Sequence, residues 1–381
     1  MAKRIYLDHN ATTPLREEVV EACTRAFRSF GNPSSTHFEG AAARAELEGA
    51  RARVASLLGA DPAEIVFTSG ATEANNLALH GGMSARASGH LVTSRADHPS
   101  VLEPAEWLER AGVKVTRLPV RLSGHLDPSA VVAAVESEAT LVSVLWANNE
   151  TGVLQPLSEI AEAVKARGAL LHVDATQAIG KIPVRVDALP ADLLSGSAHK
   201  LNGPKGAGFL FVRRGLDLEA WLRGGPQERR RRGGTENVVG IVGLGIACEL
   251  AERELPQRAR RMAQLRDRLW EGLRDKVGAL RRNGSACDVL PNTLNVCFEG
   301  AAGEVLLEAL DLEGVSVSAG AACHSGSTLA SHVLLAMGLS PEQARASLRF
   351  SVGHGVDEAQ IDQVVGLVPD LVARVREAGT L

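Results

Sequence analysis

Asp192-Leu-Leu-Ser-Gly-Ser-Ala-His-Lys200-Leu-Asn-Gly-Pro-Lys-Gly206 reads as a short apolar strand that stops at a lysine and a glycine-rich turn. A lysine held at the end of a buried element loses part of its hydration. That pulls its pKa down from an ordinary value of about 10.4 toward neutrality. A neutral amine can form a Schiff base with an aldehyde. The competing reading is a solvated surface lysine. Only seven lysines occur among the 41 Lys and Arg residues, so lysine is not a casual surface filler here. Upstream, Leu170-Leu-His-Val-Asp174-Ala-Thr-Gln177 is an apolar strand that ends in a carboxylate. A Schiff-base lysine together with an aspartate that can pair with a pyridinium nitrogen is the set of groups that pyridoxal 5'-phosphate (PLP) requires.

The same alternation extends outward. Ile65-Val-Phe67, Leu91-Val-Thr93, Val113-Lys-Val115, Leu141 to Trp146, Leu170 to Val173, Leu193-Leu194 and Gly208 to Val212 read as strands, with helical patterns such as Leu157 to Arg167 between several of them. That pattern predicts an α/β fold with a mostly parallel, buried sheet covered by helices on both faces. Such sheets bind ligands beyond the carboxyl ends of their strands. Residues 239–277 form a long helical pattern interrupted by Pro256. Beyond it, Leu294 to Cys297 and Val315 to Val317 read as strands of a smaller α+β domain. The expected division is a large domain over 15–250 and a small one formed by 1–14 and 251–381.

A chain of 381 residues has ample core for this. A net charge of -4 gives no reason to expect nucleic acid or an anionic membrane surface as partner. No apolar run approaches the roughly 20 residues of a membrane helix, and the N-terminus reaches Asp8 too soon for a signal-peptide core. The five cysteines never form a Cys-x-x-Cys pair, which fits a reducing, cytoplasmic compartment and offers no zinc or disulfide framework.

Other residues cluster at strand ends. Thr68-Ser-Gly-Ala71-Thr72-Glu-Ala-Asn75 can bind an anion at a helix N-terminus, or be an ordinary capped helix start. His98, after a strand, could stack on a flat heteroaromatic ring and shuttle protons near neutral pH; a lone histidine is more commonly a satisfied polar residue. Asn148 and Asn149 have turn composition and could contact a cofactor or a substrate carboxylate. Ser197 and His199 beside Lys200 suit a phosphate dianion, or local turn chemistry. Arg349, between Leu348 and Phe350, is an edge residue or a clamp for an α-carboxylate. Cys323 lies among Gly, Ala and Ser, a composition that predicts an exposed, mobile loop and a nucleophilic thiol. Arg229 to Arg232 lacks interleaved aromatics and reads as a solvated loop or a dimer loop near a phosphate.

Taken together, these residues resemble the cysteine desulfurase family, PLP enzymes of fold type I in the class V aminotransferase group. The match begins at Tyr6-Leu-Asp-His-Asn-Ala-Thr-Thr-Pro14 and Phe30-Gly-Asn-Pro-Ser-Ser35, continues through the motifs above, and ends at Arg349. The resemblance implies that Lys200 carries the cofactor as a Schiff base and moves substrate protons. It implies that Asp174 pairs with the pyridine nitrogen, Gln177 with the phenolic oxygen, and His98 stacks on the ring. Ala71, Thr72, Ser197 and His199 would hold the phosphate, with Thr235 arriving from the partner of a homodimer. Asn149 and Arg349 would grip the substrate carboxylate. Cys323 would take sulfur from L-cysteine, leaving alanine, and pass it to an acceptor or scaffold protein.

One motif departs from the pattern. Iron–sulfur-type desulfurases usually read Ser-Gly-Ser-Ala-Cys-Thr-Ser, whereas this chain has Ala319-Gly-Ala-Ala-Cys-His-Ser325, which is similar to selenocysteine lyases. Selenocysteine as substrate, another class V transaminase or β-lyase reaction, and a non-enzymatic binding module are the alternatives. Intact Lys200 and Asp174 weigh against the last.

Overall fold

The computed structural model describes residues 4–84, 89–136, 139–319 and 330–379. The strands are β1 (Ile5–Tyr6), β2 (Ile65–Thr68), β3 (His90–Ser94), β4 (Lys114–Leu118), β5 (Thr140–Leu145), β6 (Leu170–Asp174), β7 (Leu193–Ser197), β8 (Gly208–Val212), β9 (Leu280–Arg282), β10 (Thr293–Phe298), β11 (Val315–Ser316), β12 (Ser318–Ala319) and β13 (Ser347–Ser351). The helices are α1 (Glu17–Ala26), α2 (Phe38–Leu58), α3 (Ala71–Ser84), α4 (Pro99–Arg110), α5 (Pro128–Ala134), α6 (Leu157–Ala166), α7 (Val238–Lys276), α8 (Gly303–Leu312), α9 (His332–Ala336), α10 (Pro341–Arg345) and α11 (Glu358–Ala378).

A seven-stranded sheet in the order β2-β8-β7-β6-β5-β3-β4 carries the fold. β3 through β7 pair in parallel, and β8 runs antiparallel to both β2 and β7. Strands β2, β3, β5, β6, β7 and β8 are buried along their whole length, so their sequences lack the strict apolar–polar alternation of a half-exposed strand. The edge strand β4 is the exposed one and is the most polar. Helices seal the sheet on both faces, with one large core on one face and two smaller clusters under α3 and α4 on the other.

A second sheet, β12-β13-β10-β9, has a core of its own built from Leu265, Leu269 and Leu273 of α7, Phe298, Phe350 and the inner face of α11. The segment around Val333, Leu334, Met337 and Leu339 packs instead with the large core. The long helix differs from the sequence expectation. Pro256 does not interrupt it, and α7 runs unbroken for 39 residues. A proline removes one ladder hydrogen bond and crowds the carbonyl four residues back. Packing of α7 against α1, α2 and α11 holds the helix on both sides of that defect.

Candidate active site

The carboxyl ends of the strands open into a cavity of about 550 Å³, lined by groups at or just beyond the ends of β2, β3, β5, β6 and β7 and by further segments. The strap Asn10-Ala11-Thr12 enters from the N-terminus, and Arg349 enters from β13 of the second sheet. Ala71, Thr72, His98, Asn149, Asp174, Gln177, Ser197, His199, Lys200 and Arg349 all line this one cavity. Thr235 does not. It is exposed and lines a separate small hollow with Ser69 and Gly206. Cys323 lies outside the described residues.

Lys200 ends a short helical turn that follows β7. Its Nζ donates to the carbonyls of Asn10 (2.6 Å) and Ala11 (2.9 Å). Asp174 closes β6 and is 3% exposed. Its Oδ2 accepts from Asn75 Nδ2 (2.8 Å) and its Oδ1 from the Thr176 backbone N–H (3.0 Å). Below it, His172 lies between the hydroxyls of Ser143 and Ser195, each 2.9 Å away, and burial pushes its pKa down to about 4. Gln177 donates to the carbonyl of Asn10 (3.0 Å), and its Oε1 accepts from Lys181 Nζ (2.5 Å). Burial holds Lys181 well below the ordinary lysine range, and the charges of Lys200, Arg349 and Arg258 push in the same direction.

The other end of the cavity suits an anion. Helix α3 starts at Ala71, so the N–H groups of Ala71 and Thr72 have no intrahelical partner and sit at the positive end of the helix. Gly70 and Gly208 bring two backbones together here: a Cβ on Gly208 would lie 2.5 Å from Gly70 Cα. His199, with Nδ1 3.2 Å from Thr12 Oγ1, is pushed down to about 4 by burial and then by Lys200, Lys205 and Lys181, so it meets an anion as a neutral imidazole.

Arg349 is 3% exposed. Nη2 pairs with Asp8 Oδ1 (2.7 Å), Nη1 donates to the Asn149 carbonyl (3.0 Å), and Nε is buried without a hydrogen-bond partner. A fixed, incompletely satisfied guanidinium is the group a small carboxylate seeks. The donors therefore fit PLP: a carboxylate on a strand end for the ring nitrogen, a helix N-terminus with Ser197 and His199 for the phosphate, and a lysine between them. Thr176 Oγ1 is also buried without a partner beside Asp174.

The class V aminotransferase model matches residues 5–364. This chain belongs to that family. Family members are PLP-dependent enzymes, and this chain is one. A cysteine desulfurase, IscS, from Dictyoglomus turgidum is 41% identical over 99% of this chain and 96% of its own length. A NifS-like protein of known structure superposes with a TM-score of 0.91 at 36% identity, covering 97% of this chain and 100% of that one. SspA, solved in complex with cysteine, gives a TM-score of 0.82 at 36% identity over 92% of this chain and 99% of its own.

Several residues of the site were not singled out from the sequence: Asp8, Asn10, Asn75, Ser100, Lys181 and Lys205. Asn75 and Ser100 lie inside motifs read for their neighbours. Lys181 carried a usable signal, since it is one of only seven lysines and follows the Asp174 strand closely.

Proposed function

We propose that this enzyme is a cysteine desulfurase. It converts L-cysteine to L-alanine, and Cys323 receives the sulfur as a persulfide before passing it to an acceptor protein. The observation that carries the reading is the convergence of Lys200, Asp174, His98 and Arg349 on one cavity in a chain whose relatives bear that name along their full length. Bound PLP supplies the electron sink that makes the substrate Cβ–S bond labile. Asp174 holds the ring nitrogen, the N–H groups of Ala71 and Thr72 with Ser197 and His199 hold the phosphate, and Gln177 donates to the phenolic oxygen. Lys200 first holds the cofactor and then takes and returns protons at the substrate Cα and Cβ. Arg349 and Asn149 orient the substrate carboxylate. The Cys323 thiolate attacks the substrate sulfur, an S–S bond replaces the Cβ–S bond, and the proton that completes alanine comes from Lys200.

The enzyme acts as a homodimer. Thr235 lies outside its own chain's cavity and would reach the partner's phosphate. Phe27, Phe30 and Phe38 are 75%, 85% and 83% exposed, an apolar surface of the kind a second copy covers. We place it in the cytoplasm, because the described cysteines carry no disulfide. Among the described residues no helix is long and apolar enough to cross a membrane. Relatives named for cysteine favour L-cysteine over selenocysteine. Incubating the PLP-loaded enzyme with each amino acid and an excess of a thiol reductant, which releases the persulfide sulfur as sulfide, and measuring alanine, sulfide and selenide tests this. Sulfide and alanine in equal amounts are expected. Selenide release with no sulfide release would assign the enzyme to the selenocysteine lyases.

A further inference from the structure

A directional chain of hydrogen bonds links Asp174 to His98. Asn75, fully buried on α3, donates through Nδ2 to Asp174 Oδ2 (2.8 Å) and to Ser100 Oγ (2.8 Å). The opposite amide orientation would set its Oδ1 against a carboxylate oxygen, so the charge of Asp174 fixes it. That orientation leaves Asn75 Oδ1 buried with no partner, which is costly. The two bonds from Nδ2 offset it. Ser100 Oγ lies 2.8 Å from His98 Nδ1 and donates its hydrogen there, since Nδ1 already accepts from a backbone N–H and so carries no proton. The Ser100 backbone N–H also donates to Nδ1 (3.1 Å), because His98 caps α4. Nδ1 thus faces two donors and carries no proton.

Resting on the desulfurase reading, we infer that Asn75 and Ser100 are positioning residues that lock the resting His98 as the neutral tautomer with its proton on Nε2, so that His98 meets the cavity as a hydrogen-bond donor of fixed orientation. Among the described residues, the charged and titratable groups that act on the ring include Asp174, Lys200 and His332. Burial, the largest influence, also favours the neutral form.

The test is a long-range ¹H–¹⁵N correlation spectrum of PLP-loaded enzyme carrying ¹⁵N-histidine, with the His98 signals assigned by their loss in His98→Gln. One tautomer, protonated at Nε2, is expected at neutral pH. A proton on Nδ1, or a doubly protonated ring, would overturn the inference. Ser100→Ala removes the hydroxyl that donates to the unprotonated nitrogen, so the His98 protonation midpoint should rise, and Ser100→Thr should restore it. A midpoint that stays put in Ser100→Ala would overturn the role given to Ser100. Sulfide formation measured on the same sample separates the two readings: if wild-type enzyme shows the Nε2 tautomer but releases no sulfide, the desulfurase reading fails and the tautomer lock stands.

Discussion

Lys200 is held at the cavity by two backbone carbonyls of the N-terminal strap, at 2.6 and 2.9 Å. Replacing it with Ala removes both the covalent link to PLP and the group that moves protons. The Lys200→Ala enzyme should lose the visible absorption band that borohydride bleaches in wild type, and turnover should fall by at least roughly 10²–10⁴-fold. An unchanged band in the variant would show that another group carries the cofactor. Arg349→Lys keeps the charge but loses the planar fork. Because Arg349 is already committed to Asp8 and Asn149, KM for L-cysteine should rise about tenfold, or ~1.4 kcal/mol, with a smaller change in kcat. A KM that does not move would take the carboxylate contact away from Arg349. Lys200 and Asp174 were legible in the sequence because each ends an apolar run. Asn75 and Ser100 were not, because their meaning lies in which way their hydrogens point, which only the packed geometry of α3, α4 and β6 defines.

The elements matter through how tightly they bring these residues together. β2 and β8 pair Thr68 with Gly208 just below the start of α3. In Gly208→Ala the new methyl carbon would meet Gly70 Cα at 2.5 Å and the Gly196 carbonyl at 2.8 Å. The loop before α3 must then shift, and PLP dissociation measured by absorbance should weaken about tenfold or more; wild-type affinity would show that the backbone contact is not needed.

A second element-level effect concerns Glu150, 2% exposed in the turn after β5, whose Oε2 accepts from the Ser331 hydroxyl (2.5 Å) at the cap of α9. Burial pushes its carboxyl up to about 7, against the opposing pull of Ser331 and Arg349. The folded protein therefore keeps this proton to higher pH than the unfolded chain, whose carboxyl titrates near 4.5. Stability from this group is full below that value and falls as pH rises to about 7, by roughly 3 kcal/mol. Glu150→Gln should be more stable than wild type at pH 8 and should converge with it at low pH in urea unfolding. Parallel curves would remove Glu150 as the source. The strands of the large sheet were readable from their apolar runs to within a residue, except that β4 and β7 each run three residues further, through mostly polar or small side chains. The continuity of α7 through Pro256 was not, because it depends on α1, α2 and α11 packing on both sides of the proline.

At the scale of the molecule, one cavity draws on the large sheet, the N-terminal strap and the second sheet. We propose that 15–250 forms one domain and 1–14 with 251–381 the other, with α7 as their shared shaft. Order along the chain showed the alternation of the first sheet, and the resemblance placed Arg349 at the substrate, but neither showed that Asn10 to Thr12 close the site, since those contacts span much of the sequence. Light scattering should give the mass of a dimer, and Thr235→Ala should weaken PLP binding without altering that mass. A monomer that keeps full activity would contradict delivery of Thr235 from a partner. The most direct measurement is mass spectrometry of the PLP-loaded enzyme after brief exposure to L-cysteine. One extra sulfur on Cys323, matched by an equivalent of alanine and absent from Cys323→Ala with its visible band intact, is the predicted result; extra sulfur on Cys23, Cys248, Cys287 or Cys297 and none on Cys323 would contradict it.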